Sequence, residues 1–386
     1  MLIRRKTILF LMLSLAVGSI ISAKVDQEQA DRLGQDLTPV GAEKAGNAAG
    51  TIPAWTGGIQ QLPDGYKKGM LNIDPYPADA VKLTITGANY ADYASNLSAG
   101  QVAMFKRYPE TFKMNVYPTR RSASYPAFVY DASKANALSA ELSRGGNGVK
   151  NAQVTSPFPI PQNGTEAIWN HLLRYRSSGL SREVGQVAPT TGGSYTMVRI
   201  NETIYFPYHK EGATVESVKN RMAYFLQTVK SPARLAGNIL LVHETIDQNK
   251  EPRLAWTYNP GQRRVRRAPN IEFDYPGTAA DNQRTTDQSD LLNGSPERYN
   301  WELKGKMEMY VPYNAYKLHS KDTNPADVIK AGHLDPDYLR YELHRVWVVE
   351  GTIKKGTSHI YAKKTYYLDE DTWGIVCADQ YDGRGN

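Results

Sequence analysis

From Gly193 to the C-terminus of this 386-residue chain, apolar residues tend to recur at every second position. Such a period is typical of β-strands, because successive side chains of a strand point to opposite faces of its sheet. Turn-forming residues such as Gly, Pro, Asn and Asp separate the segments. The predicted strands cover residues 194–208, 238–247, 253–259, 263–268, 298–311, 339–354, 359–368 and 373–380. Strands joined by short turns predict an antiparallel meander, within an α+β fold that is mainly β.

Residues 301–311 show the clearest separation of two faces. The apolar residues share one parity, and charged residues occupy most positions of the other. The apolar set is Trp301, Leu303, Met307, Met309 and Val311, and the charged set is Glu302, Lys304, Lys306 and Glu308. A sheet that contains this strand must cover its apolar side with a core helix, a second sheet or a bound apolar molecule.

Helices are predicted mainly ahead of the strands. Ser98, Ser133 and Thr165 each precede apolar residues at helical spacing, so we expect each of them to begin a helix. Another helix is predicted among the strands, over residues 218–229, with Pro232 placed to end it.

The first residues predict export from the cytoplasm. Arg4, Arg5 and Lys6 precede an apolar run that ends in small residues, which is the pattern of a secretory signal peptide over residues 1–23. Cleavage would lower the formal net charge from +7 to +4, which is too mild to indicate a nucleic-acid partner. We therefore expect an exported, soluble mature chain.

The mature chain divides into an extension and one domain. Residues 24–90 are rich in Gly, Pro, Ala and Asn, which predicts an irregular N-terminal extension that wraps the domain. Residues 91–386 hold the predicted strands and helices and form that domain. The last five residues have turn composition with no strand after them, so we expect that the C-terminal end is truncated.

No arrangement of residues predicts catalysis or a metal site. A Gly-x-Ser-x-Gly elbow is absent, and the single cysteine, Cys377, lies in an alternating strand as a small core residue would. The seven histidines do not have the spacing of a zinc motif on one element. A glycosidase-type carboxylate pair stays open, because such partners are usually distant in sequence. We predict that the chain is not an enzyme and has no cofactor and no metal.

The most distinctive segment is a predicted hairpin. Leu254, Trp256 and Tyr258 share one face of its first strand, and its second strand is rich in arginine. The arginines are Arg263, Arg264, Arg266 and Arg267. They form either a solvated edge that prevents aggregation or a surface for acidic partners and lipid headgroups.

Three segments resemble one known family. Residues 169–176, the hairpin of residues 256–269 and the closing residues 381–386 are similar to the exported proteobacterial family of unknown function DUF1329. The similarity covers essentially the whole mature chain. It implies the fold of the LolA/LolB class of lipoprotein carriers, in which a strongly curved antiparallel sheet forms an incomplete β-barrel covered by helices.

The resemblance also implies a function in the Gram-negative periplasm. Members of the family are often encoded beside resistance-nodulation-division permeases and an outer-membrane protein. We therefore expect a carrier for a hydrophobic, lipid-like ligand, with Met307 and Met309 pointing inward. The expected ligand-binding residues are Leu254, Trp256, Tyr258, Trp301, Leu303, Met307, Met309 and Trp347.

Two alternatives stay open from the sequence. The 25 tyrosines also suit an exported carbohydrate-binding or carbohydrate-active protein, which uses aromatic rings as stacking platforms. The arginine hairpin also suits an interaction scaffold of an envelope complex, and this role is compatible with carriage of a ligand.

Overall fold

The computed structural model describes residues 24–67, 69–269 and 271–386, so the predicted signal peptide lies outside the described residues. The helices are α1 (Gln27–Asp31), α2 (Ala99–Arg107), α3 (Ala127–Ser139), α4 (Gly164–Leu173) and α5 (Pro325–Val328). Short 3₁₀ helices cover Tyr90–Asn96, Arg144–Gly146, Pro207–His209, Thr286–Gln288, Tyr316–His319 and Pro336–Tyr338. Within the described residues, no helix has the length and apolar character needed to cross a membrane.

Fourteen strands make up most of the regular structure in the described residues. They are β1 (Leu83–Thr86), β2 (Lys113–Val116), β3 (Glu141–Leu142), β4 (Val149–Lys150), β5 (Gly179–Gln186), β6 (Val198–Tyr205), β7 (Arg221–Ser231), β8 (Ile239–Thr245), β9 (Leu254–Asn259), β10 (Arg264–Arg267), β11 (Tyr299–Pro312), β12 (Tyr341–Ile353), β13 (Lys363–Asp369) and β14 (Ile375–Tyr381).

The strands form two six-stranded sheets and one small hairpin. The first sheet has the order β1-β2-β12-β13-β14, with β11 also paired to β12, and the second has the order β10-β9-β8-β7-β6-β5. Pairing is antiparallel except for one parallel bridge between β2 and β12. Bulges in β6–β7, β7–β8, β11–β12 and β13–β14 bend the sheets, and neither closes into a barrel within the described chain. The prediction of a mainly β fold with curved, unclosed antiparallel structure is confirmed, and the strands are divided between two large sheets instead of one.

Helix α4 connects the two sheets through the main hydrophobic core. Its Trp169 and Leu173 are buried in a cluster that also contains Tyr366 of β13 and Met222 of β7. The helix lies so close to β11 that a Cβ atom on Gly164 would be 2.6 Å from the carbonyl carbon of Trp301. We call the face of the second sheet that packs toward α4 its inner face and the opposite side its outer face.

A bulge in β11 corrects the predicted single apolar stripe. Leu303 pairs with Val349, but Gly305 pairs with Val348, so Lys304 is an extra residue. One extra residue moves every later side chain to the other face of a strand. Trp301 and Leu303 consequently pack against the core around α4, whereas Met307 and Met309 pack in a separate cluster with Val311, Val346 and Tyr367.

The helix predicted over residues 218–229 is wrong, because this segment enters strand β7. Both parities of the segment are apolar, with Phe225 and Val229 on one and Tyr224 and Leu226 on the other, so the spacing alone was ambiguous. The segment forms a strand because it hydrogen-bonds to β6 on one side and to β8 on the other.

The other helix starts were predicted with mixed success. Ser98 caps α2 in a capping box with Gln101, as expected. Ser133 instead lies buried inside α3, which begins at Ala127, and Asn163 rather than Thr165 caps α4. Strands β1 to β5 were not predicted.

The N-terminal segment before β1 is largely irregular and lies against the rest of the chain. The Trp373 indole donates a hydrogen bond to the Val40 carbonyl at 2.9 Å. Arg345 donates to the carbonyl groups of Glu43 and Ala45 at 2.9 and 2.7 Å. These bonds fix the segment beside β12 and the turn after β13.

Candidate ligand-binding site

A cavity of about 470 Å³ lies between the inner face of the second sheet and the segment that connects β10 to β11. Its apolar wall includes a row of cross-strand neighbours, in which Leu180 pairs with Ile204, Ile204 with Phe225 and Phe225 with Val242. Leu292 of the connecting segment closes the opposite side. The volume falls within the range of about 300–1,000 Å³ that is usual for small-molecule sites.

Strand alternation explains why the sheet can form this wall. Phe225 and Leu240 point to the inner face, and their neighbours Leu226 and Leu241 point to the outer face. Strands β7 and β8 are therefore apolar on both sides. Only part of the inner side is filled by the core around α4, and the remainder borders the cavity.

Arginines paired with carboxylates form most of the polar part of the cavity. Arg174 donates to Asp290 at 2.7 Å, and Arg176 donates to the same carboxylate at 2.6 Å. Burial acts to raise the pKa of Asp290, but the Arg174 and Arg176 charges outweigh it and lower that pKa to about 2. Asp290 is thus an anion that two arginines share.

Arg176 has unused hydrogen-bonding capacity inside the cavity. Its Nε atom is buried and has no hydrogen-bond partner among the described residues. The guanidinium carbon lies 4.6 Å from the centre of the Phe206 ring. Burial and the neighbouring Arg174 charge lower the pKa of Arg176 to about 10, so it stays a cation near neutral pH. This cation is placed to meet an anionic group in the cavity.

The two cavity carboxylates on strands are already paired with arginines. Glu202 accepts from Arg182 at 2.7 Å, and Glu244 accepts from Arg253 at 3.0 Å. Carboxylates held in this way stabilise the wall of the cavity. An apolar wall with arginines at one end suits an amphiphile, whose tail would contact the wall and whose acidic head would contact the arginines.

The structure separates the eight predicted ligand-binding residues into three places. Trp256 and Tyr258 line an open apolar groove of about 500 Å³ on the outer face of the second sheet, and Leu254 has the same parity. Trp301, Leu303 and Trp347 pack against the core around α4. Met307 and Met309 belong to the cluster on the other side of the first sheet.

The prediction that these eight residues line one common pocket is therefore wrong. The β11 bulge separates Trp301 and Leu303 from Met307 and Met309, and Trp256 and Tyr258 face away from the cavity. The cavity residues were missed because β7 was interpreted as a helix and β5 was not predicted. The double-sided apolar character of residues 222–229 and 239–242 was the signal that could have found them.

The four predicted partner-binding arginines lie together on the surface. Arg263 is in the turn before β10, and Arg264, Arg266 and Arg267 are in this exposed edge strand. None of the four forms an ion pair with another residue in the part of the chain that the structure describes. Arg267 pairs across the hairpin with Trp256 and therefore borders the outer groove.

Comparisons with known proteins show the family and one similar relative. The family model described as "Protein of unknown function (DUF1329)" matches residues 84–386. The uncharacterized protein PA3922 of Pseudomonas aeruginosa is 50% identical over 375 residues, which are 97% of this chain and 82% of that protein.

Solved structures show more distant similarity. A DUF1329 family protein from Desulfovibrio piger is 19% identical, with a TM-score of 0.32 over 54% of this chain and 68% of that one. A LolA superfamily protein from Nitrosomonas europaea is 13% identical, with a TM-score of 0.29 over 55% of this chain and 68% of that one.

Proposed function

This chain belongs to the DUF1329 family of proteins of unknown function, and from that premise we propose that it is a periplasmic carrier of a hydrophobic, lipid-like ligand. The observation that carries the proposal is the cavity of about 470 Å³ with an apolar wall and a cationic end. Such a site binds and releases its ligand without covalent chemistry. The proposal therefore includes no catalytic residue.

Burial of an acyl chain supplies the driving force. Each methylene group removed from water contributes about 0.8 kcal/mol, so ten of them contribute roughly 8 kcal/mol before the cost of association is subtracted. Phe225, Leu240 and Val242 provide the apolar contacts.

The arginines set the orientation of the ligand. An anionic head would take hydrogen bonds from the N–H groups of Arg174 and Arg176 and share them with Asp290. The tail would extend along the row from Leu180 to Val242. The preferred ligand class is consequently a single-chain amphiphile with an acidic head.

Two substitutions of neighbouring leucines test the cavity. Leu240→Trp fills the inner cavity, whereas Leu241→Trp places the same side chain in the outer groove and is the matched control. We expect Leu240→Trp to weaken binding of a fluorescent fatty acid at least tenfold and Leu241→Trp to leave it unchanged. Extraction of the wild-type protein followed by mass spectrometry should find co-purified lipid.

Three results would contradict this proposal. One is a wild-type protein that contains no lipid and does not bind the fluorescent fatty acid. Another is equal binding by both tryptophan variants. Loss of binding in Leu241→Trp alone would indicate that the ligand binds in the outer groove, where Trp256 and Tyr258 lie.

We further propose that the exposed hairpin docks the carrier on an acidic surface of an envelope transport protein. Two observations support this role: Arg263, Arg264, Arg266 and Arg267 are exposed, and none of them has an ion-pair partner among the described residues. A resistance-nodulation-division permease and an outer-membrane protein are the proposed partners.

Charge reversal of the hairpin arginines tests the docking. Replacement of all four by Glu should abolish co-purification with a co-expressed permease while fatty-acid binding in the cavity is retained. Flotation with anionic phospholipid vesicles shows whether the hairpin binds a membrane surface instead of a protein. Unchanged co-purification of the variant would refute the proposed role of the hairpin.

The N-terminal pattern supports the periplasmic location. N-terminal sequencing of protein from the periplasmic fraction should begin near Lys24. An uncleaved protein in the cytoplasmic fraction would contradict this location.

A further inference from the structure

A second group of polar residues lies beside the first sheet, away from the cavity. His344 of β12, Asp369 at the end of β13 and Asp371 in the following turn are all buried. One potential ligand atom from each residue lies within 4.8 Å of the corresponding atoms of the other two. An imidazole and two carboxylates are a donor set that divalent transition metals accept.

One atom of this group has no hydrogen bond. Asp369 is fully buried, and its Oδ2 accepts from the hydroxyl groups of Tyr313 at 3.0 Å and Thr372 at 2.6 Å. Its Oδ1 has no hydrogen-bond partner among the described residues and lies 3.9 Å from Nδ1 of His344. That distance is too long for a hydrogen bond and leaves space for an ion between the two atoms.

The other ring nitrogen of His344 is held by a carboxylate. Its Nε2 lies 3.0 Å from Oε2 of Glu342, which favours the tautomer with the proton on Nε2. Nδ1 then directs a lone pair toward Asp369. The Tyr313 ring stacks on the imidazole with centroids 3.8 Å apart and fixes its orientation. A carboxylate behind the imidazole is the usual arrangement around a metal-bound histidine.

The arginine and lysine side chains near Asp369 are paired with other carboxylates, so they leave the charge of Asp369 uncompensated. Asp371 is paired with Arg121 at 2.6 and 2.8 Å. Glu370 forms ion pairs with Arg345 and Lys306. Each Asp371 oxygen keeps a lone pair for a further ligand bond.

We propose that His344, Asp369 and Asp371 bind one divalent metal ion, with Zn²⁺ as the best match to one nitrogen and two carboxylate ligands. The ion would use Nδ1 of His344, Oδ1 of Asp369 and a carboxylate oxygen of Asp371. It would connect β12 to the β13–β14 turn, against which the N-terminal segment packs, and thereby stabilise the fold. The site is independent of the ligand cavity.

Sequence spacing could not reveal this site. His344 and Asp369 lie on adjacent strands, far apart in the chain, and the Asp-Glu-Asp segment at 369–371 has the composition of an ordinary turn. Antiparallel pairing of β12 with β13 brings the ligands together.

Metal titration of tag-free protein, stripped with EDTA and then dialysed, tests the proposal. Calorimetry and elemental analysis should find one Zn²⁺ per chain. The metal binds only the folded protein, so saturating Zn²⁺ should raise the unfolding temperature by roughly 5 °C. Mn²⁺ and Ca²⁺ serve as comparison ions and should bind more weakly.

Asp369→Asn and His344→Gln should each weaken Zn²⁺ binding at least tenfold and remove the thermal shift. Asp369→Asn also removes the uncompensated charge, so its unfolding temperature without metal should equal or exceed that of the wild type. His319→Gln, at an exposed histidine, is the control and should keep both effects. Absence of stoichiometric Zn²⁺ binding by the wild type, or unchanged binding in both variants, would overturn the proposal.

Discussion

At the scale of single residues, Asp79 shows how one carboxylate attaches the N-terminal segment to the rest of the chain. It accepts hydrogen bonds from Arg120 at 2.6 Å and from Arg340 at 2.7 Å. The Arg120 hydrogen bond, supported by Arg340, lowers the pKa of Asp79 to about 2. A lowered carboxyl pKa means that folding stabilises the charged form.

The lowered pKa of Asp79 therefore predicts how the free energy of unfolding depends on pH in the acid range. Its contribution to the free energy of unfolding is complete above about pH 4 and is lost as the pH falls toward about 2. Asp79→Asn should lose roughly 1–2 kcal/mol at neutral pH, and the difference from the wild type should disappear in that acid range. Urea unfolding at several pH values measures this. The exposed Asp92→Asn is the control, and a pH-independent difference would contradict the prediction.

At the scale of elements, the bulge in β11 decides where its apolar residues point. Gly305 follows the extra residue with φ of +105°, a backbone conformation that a side chain makes costly. Alternation alone could predict a strand here, and it did. A bulge depends on pairing with β12, which lies about forty residues away, so alternation could not predict the change of face.

Replacement of Gly305 tests whether the bulge is required. A Cβ atom at this position would contact no atom within 4 Å, so Gly305→Ala isolates the backbone effect. We expect a loss of roughly 1–2 kcal/mol in the free energy of unfolding. Gly383→Ala has the same open surroundings without a positive φ and should change stability by less than about 0.5 kcal/mol. Equal effects of the two substitutions would show that the bulge is not strained by a side chain.

At the scale of the whole molecule, a buried ion cluster joins the N-terminal segment to the first sheet. Glu370 accepts from Arg345 at 2.6 Å, from Lys306 at 2.9 Å and from the Glu43 backbone at 3.2 Å. The Glu370 side chain is only 2% exposed. The side chains of Arg345 and Lys306 are only 7% and 18% exposed, so water would replace a lost carboxylate poorly.

Glu370→Gln should therefore be strongly destabilising, by about 3 kcal/mol or more, because it removes the buried anion that Arg345 and Lys306 share and leaves them only Glu43, whose side chain is 49% exposed. Chemical denaturation measures the loss. Glu302→Gln removes a carboxylate from the same sheet whose side chain is 66% exposed and should cost less than about 1 kcal/mol. A loss no larger than that of the control would mean that the N-terminal segment does not depend on this cluster.

The sequence by itself determined the class of fold. Alternating apolar residues, turn residues and the Ser98 cap depend on local geometry, so they were readable without a structure. The tertiary structure alone decided the sites. The cavity requires the register of β5 to β8, and the His344–Asp369–Asp371 group requires the pairing of β12 with β13. Neither the cavity nor this group of residues can be inferred from local spacing, because residues distant in the chain become neighbours only when the strands pair and bend.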